Sequence, residues 1–394
     1  METTGMLRPG HGPYARATVA LFLLGIATFS QLYTVQPLLV TIGADFHKGA
    51  AETSWLMSGA TAGVAAAVLP LGHWAGRWGR KRTMMAGLAM ATIIGVTLSF
   101  LTSWPAFIAL RIIQGASLAT VLVSAMAWVI AQAHPLVVTR LGGLYIAGTT
   151  VGGMTGRLVA GWVGEWGTWR SGVLAATLTA ALAGGLAHLL LPGAEVYERD
   201  DSHHHGPDPN RRFRLGTYAI GGLGMAVFVG VFNVIGYRLA APPFNVGTAV
   251  ISTLFLTYLA GTATAAIAGP VAARLGLRTT LTTGMVIAGI GVALTTVAHL
   301  LAVLSGLLLL CAGFFLAHGL AAALAAKYAP RPAAASARYS LSYYAGSSLG
   351  GVVLAHAWDA ARWSGTASVA LIMVAIAALV PLLAGPPSGA PGGD

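Results

Sequence analysis

The sequence predicts an all-α membrane protein of twelve transmembrane helices, arranged as two six-helix bundles with pseudo-symmetry. Of its 394 residues, 56% are hydrophobic and only 8% are charged, which is too little charge to cover a soluble protein of this size. The apolar residues form blocks of about 20 or more, long enough for a helix to cross about 30 Å of hydrocarbon. An internal repeat at 197 or 198 residues indicates two related halves.

Turn residues and charges divide the apolar blocks into twelve predicted helices. They cover residues 18–40, 53–74, 83–102, 105–130, 140–164, 169–191, 216–240, 248–272, 279–299, 301–326, 336–357 and 365–385. The polar segment from Pro192 to Arg214 separates six helices from six. We therefore predict an N-terminal bundle over residues 1–192, a cytoplasmic linker over 193–214 and a C-terminal bundle over 215–394.

The net charge of +11 predicts membrane topology here rather than nucleic-acid binding. With the N-terminus inside, 16 of the 22 Lys and Arg residues fall on the cytoplasmic side, as the positive-inside rule requires. We expect a multi-pass protein of the cell (inner) membrane with both termini in the cytoplasm. A signal peptide is the competing interpretation of the first apolar run, but that run is too long and lacks a small-residue cleavage site.

One predicted helix occurs in two copies. The first copy contains Arg140, Tyr145, Ala147, Gly148, Gly152 and Gly153, and the second contains Arg338, Tyr343, Ala345, Gly346, Gly350 and Gly351. Glycines spaced by four residues let helix backbones approach closely in lipid. We predict that Gly148, Gly152 and Gly156, and Gly346 and Gly350 in the second copy, pack against neighbouring helices.

A glycine-rich turn with four cations joins the second and third predicted helices. It reads Gly72-His73-Trp74-Ala75-Gly76-Arg77-Trp78-Gly79-Arg80-Lys81-Arg82, and a shorter copy reads Gly269-Pro270-Val271-Ala272-Ala273-Arg274-Leu275-Gly276-Leu277-Arg278. With these loops the chain resembles transporters of the major facilitator superfamily, in the branch of bacterial drug and metabolite efflux antiporters. The family pattern is Gly-x-x-x-Asp-Arg-x-Gly-Arg-Arg, in which Gly76 and Ala273 of this chain replace the Asp.

The resemblance implies that this loop gates the cytoplasmic side, where its cations would meet helix C-termini or acids. The implied gating residues are Gly72, Gly76, Arg77, Gly79, Arg80 and Lys81 in the first copy, and Gly269, Arg274, Gly276 and Arg278 in the second. The alternative is that the cations only anchor the loop on the positive side of the membrane. Loss of the Asp weakens the charge network expected of the gate.

Leu110-Arg111-Ile112-Ile113-Gln114-Gly115 in the fourth predicted helix resembles a second family motif. The resemblance implies that Arg111 and Gln114 face the central cavity. An arginine inside a span costs about 2.5 to 3.5 kcal/mol on insertion scales, so its presence needs a reason. A structural role, in which Arg111 bonds to helix carbonyls or reaches the surface, is the alternative.

The fifth predicted helix resembles the antiporter motif Gly-x-x-x-Gly-Pro-x-x-Gly-Gly over residues 148–157. Gly153 replaces the Pro and Arg157 replaces the last Gly, whereas the equivalent of Arg157 in the second copy is Ala355. None of the eleven acids falls in the middle of a predicted span. Since arginine binds carboxylates and phosphates well, the two intramembrane cations Arg111 and Arg157 predict an anionic substrate, or one that carries a carboxylate or phosphate.

The resemblance also implies that the first, fourth, seventh and tenth helices line the substrate cavity. The candidate substrate-binding residues are Tyr33, Gln36, Arg111, Gln114, Arg157, Asn233, Tyr237, His318 and Tyr343. The titratable groups within spans are His318 and His188, with Asp45, Glu52 and His356 at the outer edge, and His318 is the candidate proton carrier. Hydrogen-bonded packing is the competing interpretation for His318, and likewise for the tyrosines and amides.

The predicted function is secondary active transport by alternating access, with efflux of a small anionic or amphipathic compound by proton antiport. An uptake carrier or uniporter is the first alternative, and a non-transporting receptor or sensor on the same scaffold is the second. We expect a small-molecule substrate, protons and the lipid bilayer as partners, no nucleic acid and a monomeric state. We predict no enzymatic activity, cofactor or metal; the run His203-His204-His205 is interpreted as part of a solvated linker.

Overall fold

The computed structural model describes residues 7–9, 12–74, 78–193, 208–385 and 387–388. The helices in these residues are α1 (Gly12–Tyr33), a 3₁₀ turn (Gln36–Leu38), α2 (Leu39–Phe46), α3 (Ala50–Trp74), α4 (Arg80–Leu98), α5 (Trp104–Gln132), α6 (Pro135–Trp166), α7 (Trp169–Leu190), α8 (Arg211–Ala240), α9 (Thr248–Thr253), a second 3₁₀ turn (Leu254–Thr257), α10 (Tyr258–Leu275), α11 (Leu277–Leu294), α12 (Leu300–Lys327) and α13 (Pro332–Ala384).

Nine helical stretches of the described residues are long and apolar enough to cross a membrane. Helices α4 and α6 occupy two further predicted spans, although the cations at the start of α4 and the glycines and threonines of α6 lower their mean hydropathy. Helix α13 covers the last two predicted spans and breaks at Ala361 and Arg362, where the backbone leaves helical geometry. The prediction of an all-helical membrane fold is confirmed.

The described chain forms two compact units. The first unit holds the residues up to Leu38 and from Gly59 to Gly193, and the second holds Leu39–Ser58 and the residues from 208 onward. The Leu39–Ser58 segment comprises α2 and the beginning of α3, so a piece of the first two predicted spans packs with the second unit.

Within the first unit, α6 lies directly on the backbone of α1. A Cβ on Gly148 would lie 2.2 Å from the carbonyl oxygen of Phe22, and one on Gly152 would lie 2.5 Å from Cα of Ile26. A Cβ on Gly156 would likewise lie 2.5 Å from the α1 backbone. These approaches leave no room for a side chain, which explains the spacing of four residues between the glycines.

The second unit repeats this packing with α13 and α8. A Cβ on Gly346 would lie 2.0 Å from the carbonyl oxygen of Gly222, and one on Gly350 would lie 2.3 Å from Cα of Ala226. The α8–α13 pair of the second unit is thus the counterpart of the α1–α6 pair of the first.

The two copies of the glycine-rich turn also share a backbone conformation. Gly79 has φ +85° at the start of α4, and Gly276 has φ +82° at the start of α11. Side chains disfavour positive φ, so glycine is required at both turns. The structural repeat has the same offset of 197 residues as the sequence repeat.

Candidate functional site

Three of the predicted substrate-binding residues meet in the first unit around Arg157. The Arg157 side chain is 1% exposed. Its Nε donates to Oε1 of Gln36 at 2.7 Å, and its Nη1 donates to the carbonyl oxygen of Gly153 at 2.8 Å. The guanidinium carbon lies 4.0 Å from the centre of the Tyr33 ring, which is a cation–π contact. The guanidinium plane is therefore held on several sides.

Gln36 reaches Arg157 because α1 ends before it. Helix α1 stops at Tyr33, and residues Gln36–Leu38 form a 3₁₀ turn around Pro37. Proline lacks the N–H that a continuing helix would need, and it restricts the backbone of the residue before it. Gln36 is 3% exposed, so the amide is buried with the cation that it binds.

The helices of the first unit contain few acids that could neutralise Arg157. The sequences of α1, α4, α5 and α7 contain no Asp or Glu, and α6 contains Glu165. Glu165 is eight residues from Arg157 along α6, a rise of about 12 Å along the helix axis.

Arg111, the second buried arginine, contacts the C-terminal end of α1. Its Nη1 donates to Oε1 of Gln114 at 2.6 Å and to the carbonyl oxygen of Gln31 at 3.3 Å, and its Nη2 donates to the carbonyl oxygen of Leu32 at 2.6 Å. Gln114 in turn donates to the carbonyl oxygen of Ala91 at 3.0 Å. The last carbonyls of a helix need such donors. This geometry favours the structural alternative for Arg111 and Gln114, whose contact with substrate stays a prediction.

In the second unit, His318 lies in a cluster of aromatic rings. Its ring stacks on the Phe314 ring, with 5.2 Å between the ring centres and 16° between the ring planes. The centre of the His318 ring lies 4.8 Å from that of the Tyr343 ring. Nδ1 of His318 is 2.7 Å from the hydroxyl oxygen of Tyr339. The structure thus groups His318 with the predicted Tyr343 and adds Tyr339. Sequence reasoning missed Tyr339, although it is four residues before Tyr343 and so on the same helix face.

Asn233 and Tyr237 of α8 have other neighbours in the second unit. The Tyr237 hydroxyl donates to the carbonyl oxygen of Leu39 at 3.0 Å and lies 2.5 Å from Oγ1 of Thr53. Asn233 is 2% exposed, and its Nδ2 is 2.8 Å from where a Cβ on Gly351 would be. Tyr237 thereby fixes the Leu39–Ser58 segment, and the substrate-binding role of both residues stays a prediction.

The described part of the glycine-rich turn, which is predicted to act as a gate, contains a contact between a cation and a helix end. Nζ of Lys81, in the first turn of α4, donates to the carbonyl oxygen of Leu191 at the end of α7. A cation is favoured at a helix C-terminus by the helix dipole. A surface cavity of about 630 Å³ beside this contact is lined in part by Arg80, Arg82 and His188.

The other predicted gating residues occupy helix ends. Gly72 lies near the end of α3, Gly269 and Arg274 lie in the last turns of α10, and Arg278 lies in the first turn of α11. Gly76 and Arg77 lie outside the described residues, as does the run of three histidines from His203. The described residues contain no group of three or more His, Cys, Asp or Glu that could hold a metal ion.

The membrane-spanning helices, the duplicated helix pairs and the buried polar clusters are typical of a secondary transporter. The chain belongs to the Major Facilitator Superfamily, whose model matches residues 21–216. It is 33% identical over 390 residues to the inner membrane transport protein YnfM of Escherichia coli (strain K12), which covers 95% of this chain and 91% of that protein. The chain is accordingly a multi-pass protein of the inner membrane.

Solved structures share the fold at low sequence identity. A bacterial homolog of the human lysosomal transporter Spinster, in an inward-facing and occupied conformation, matches with a TM-score of 0.76 at 15% identity, over 95% of this chain and 97% of that one. A D-xylose-proton symporter matches with a TM-score of 0.73 at 16% identity, over 95% of this chain and 98% of that one. The superfamily and fold predictions are confirmed.

Proposed function

We propose that this transporter exports a small organic anion, or an amphipathic compound with a carboxylate or phosphate group, by proton antiport. The observation that carries the proposal is the buried Arg157, whose guanidinium is bound to Gln36 and Gly153 and lies over the Tyr33 ring. Arg111 differs, because its contacts hold the end of α1. Arg157 is therefore the residue that we assign to the anion.

The chemistry of the Arg157 cluster suits an anion with an apolar part. A guanidinium whose orientation is already fixed loses little side-chain entropy when it binds a carboxylate, and its planar fork matches the two carboxylate oxygens. The Tyr33 ring offers an apolar face next to the cation. An amphipathic anion would bind the Arg157 guanidinium with its charged group and pack its apolar part on the Tyr33 ring.

Proton coupling is supported by His318, a titratable group within α12. A histidine ring can take up and release a proton at its nitrogen atoms. Export is supported by the likeness of the fifth predicted helix to the antiporter motif. Proton-driven uptake is the rival, and the similar D-xylose-proton symporter shows that this fold also hosts symport.

The test uses purified protein in liposomes, with a panel of organic anions and cationic drugs and with or without an imposed pH gradient. We expect an organic anion to move against the direction of proton flow, at a rate that changes between about pH 5.5 and 8. Movement with the protons would establish symport, and transport that ignores the gradient would establish a uniporter. Binding of panel compounds without any transport would favour the receptor.

Arg157→Ala and Arg170→Ala form a matched pair for the anion assignment. Arg170 of the first unit lies over the Trp169 ring and donates to the carbonyl oxygen of Leu101, so its loss also removes a cation–π pair and a carbonyl contact. We expect only Arg157→Ala to abolish transport of the anion. Equal transport of every organic anion by Arg157→Ala and the wild type would refute the proposal.

A further inference from the structure

The hydroxyl group of Tyr339 contacts His318 at two points. Its oxygen is 2.7 Å from Nδ1 of the His318 ring and 3.2 Å from the carbonyl oxygen of the same residue. The phenol therefore bridges the ring and the backbone of one residue. This arrangement ties the orientation of the imidazole to the axis of α12.

Counting protons in this bridge identifies the histidine tautomer. A phenol has one proton to donate, and a backbone carbonyl can only accept. Both contacts are hydrogen bonds only if Tyr339 donates to the carbonyl oxygen and the Nδ1–H of His318 donates to the Tyr339 oxygen. The neutral ring then carries its proton on Nδ1, and Nε2 holds the basic lone pair.

The fold makes room for Tyr339 at this place. A Cβ on Gly221 of α8 would lie 2.7 Å from Cζ of Tyr339 and 2.8 Å from its hydroxyl oxygen. Any larger residue at position 221 would displace the phenol from His318. The Tyr218 ring packs against Tyr339 at 6.4 Å between ring centres, so α8 supports the phenol as well as making space for it.

Within the part of the chain that the structure describes, the groups that contact the His318 side chain are uncharged. They are the Tyr339 hydroxyl and the rings of Phe314, Phe315, Tyr339 and Tyr343. Charged or titratable residues on the helices packed against α12 are Arg211, Arg212, Arg214, Tyr218, Tyr237 and Arg238 of α8, Tyr258 and Arg274 of α10, Arg278 of α11, and Arg338, Tyr339, Tyr343, Tyr344, His356, Asp359 and Arg362 of α13. The faces of aromatic rings attract a cation, and such rings lie next to the His318 imidazole.

We propose that Tyr339 is a positioning residue that holds His318 as the Nδ1–H tautomer, so that Nε2 takes up and releases the coupling proton. A proton from water adds to the Nε2 lone pair and gives the imidazolium, and its release to water restores the neutral ring. Neither step alters the two hydrogen bonds to Tyr339. The proposal rests on the proposed proton antiport, and it names the atom that would carry the proton.

The tautomer can be measured without a substrate. Protein labelled with ¹⁵N-histidine is placed in lipid nanodiscs at about pH 8, where an ordinary imidazole is neutral, and the His318 signals are assigned by their loss in His318→Gln. We expect a protonated-type ¹⁵N shift at Nδ1 and an unprotonated-type shift at Nε2. A wild-type spectrum with the His318 proton on Nε2 would overturn the proposal, whatever the tyrosine variants show.

Two tyrosine variants test whether Tyr339 sets this tautomer. Tyr339→Phe should give a mixture of tautomers, whereas Tyr344→Phe, which removes a hydroxyl from the same helix, should leave the His318 signals unchanged. In liposomes, Tyr339→Phe should slow gradient-driven transport of the responsive anion about tenfold, the size of a lost hydrogen bond to a charged group. Exchange of that anion without a gradient should continue.

The two kinds of failure are distinguishable. Identical His318 spectra in Tyr339→Phe and the wild type would overturn the positioning role while leaving the proposed antiport intact. Wild-type transport that ignores the pH gradient would overturn the coupling role together with the proposed antiport, whatever the tautomer is. A His318→Gln variant that still responds fully to the gradient would overturn the role of Nε2 alone.

Discussion

The two copies of the duplicated helix share their packing and differ in their chemistry. In α6 and in the part of α13 before its break at Ala361, the glycines that contact a neighbouring backbone occupy equivalent positions. Arg157 of α6, however, corresponds to the buried Ala355 of α13, and Tyr339 of α13 corresponds to the buried Leu141 of α6. The contacts that build each unit were kept, whereas the polar side chains diverged separately in each.

This difference suggests a division of labour. The first unit places a buried cation with an amide and a phenol ring around it, which suits an anion. The second unit places a titratable imidazole among aromatic rings with one phenol that fixes it. A carrier with two identical halves would need neither specialisation. The variants below test this difference by changing a side chain in one unit or by introducing its counterpart in the other.

The largest effect is expected for Arg157→Ala. Truncating one partner of a buried, hydrogen-bonded charge pair costs about 2 to 5 kcal/mol, which corresponds to a loss of about thirtyfold or more in anion transport. Arg157→Lys should retain part of the activity, because a lysine keeps the charge but loses the planar fork. Initial rates in liposomes measure both variants, and a transport rate for Arg157→Ala equal to that of Arg170→Ala would contradict the account.

Transplanting the cation should damage the second unit. Ala355 is fully buried and corresponds to Arg157, so Ala355→Arg places a charge at a buried position that a small apolar side chain occupies. The cost should be about 2.5 to 3.5 kcal/mol of stability, the penalty of an arginine inside a span. Thermal unfolding in detergent measures the change, with Ala355→Leu as a control for size. An Ala355→Arg protein as stable as the wild type would show that the site tolerates cations.

The shared packing predicts equal sensitivity in both copies. Gly148→Ala and Gly346→Ala each force a methyl group into a backbone, at 2.2 Å and 2.0 Å respectively. Each should lower the free energy of unfolding by about 1 to 3 kcal/mol. Gly143→Ala and Gly185→Ala are matched controls, because a Cβ at either position meets no atom within 4 Å. Melting temperatures that fall in only one copy would break the structural equivalence.

The smallest effect is expected for Tyr237→Phe. This change removes the hydroxyl that donates to Leu39 and contacts Thr53, and it keeps the ring. One ordinary hydrogen bond contributes about 0.5 to 1.5 kcal/mol. Faster amide hydrogen exchange confined to the Leu39–Ser58 segment would measure the loss. A large fall in anion transport with unchanged exchange would instead assign Tyr237 to the substrate.

The fold could be predicted from the sequence because lipid leaves few choices. A run of about 20 apolar residues must form a helix to satisfy its backbone, and the repeated glycines predicted that the fifth and eleventh helices each pack closely on a neighbour. The positive-φ turns at Gly79 and Gly276 follow from the same repeat. The break of α13 at Ala361 and Arg362 falls between the predicted helices 336–357 and 365–385, where Asp359 and Arg362 interrupt the apolar sequence.

The candidate site was only partly predictable. Tyr33, Gln36 and Arg157 could be chosen as polar residues within spans, and they meet. Tyr339 could not be singled out, because its partner His318 is 21 residues away and their contact depends on how α12 and α13 pack. For Arg111, the sequence left two interpretations open, a role in the cavity and a bond to helix carbonyls. The structure favours the second, because the Arg111 side chain donates to the carbonyl end of α1.

The central claim is that Arg157 recognises a negative charge on the substrate. It is tested most directly by the ratio of transport rates for an organic anion and its uncharged amide, measured in the wild type and in Arg157→Ala under one pH gradient. We predict that the wild type prefers the anion and that the ratio falls to about one in the variant, since only the charge-assisted hydrogen bonds are lost. A ratio that is the same in both proteins would contradict the claim.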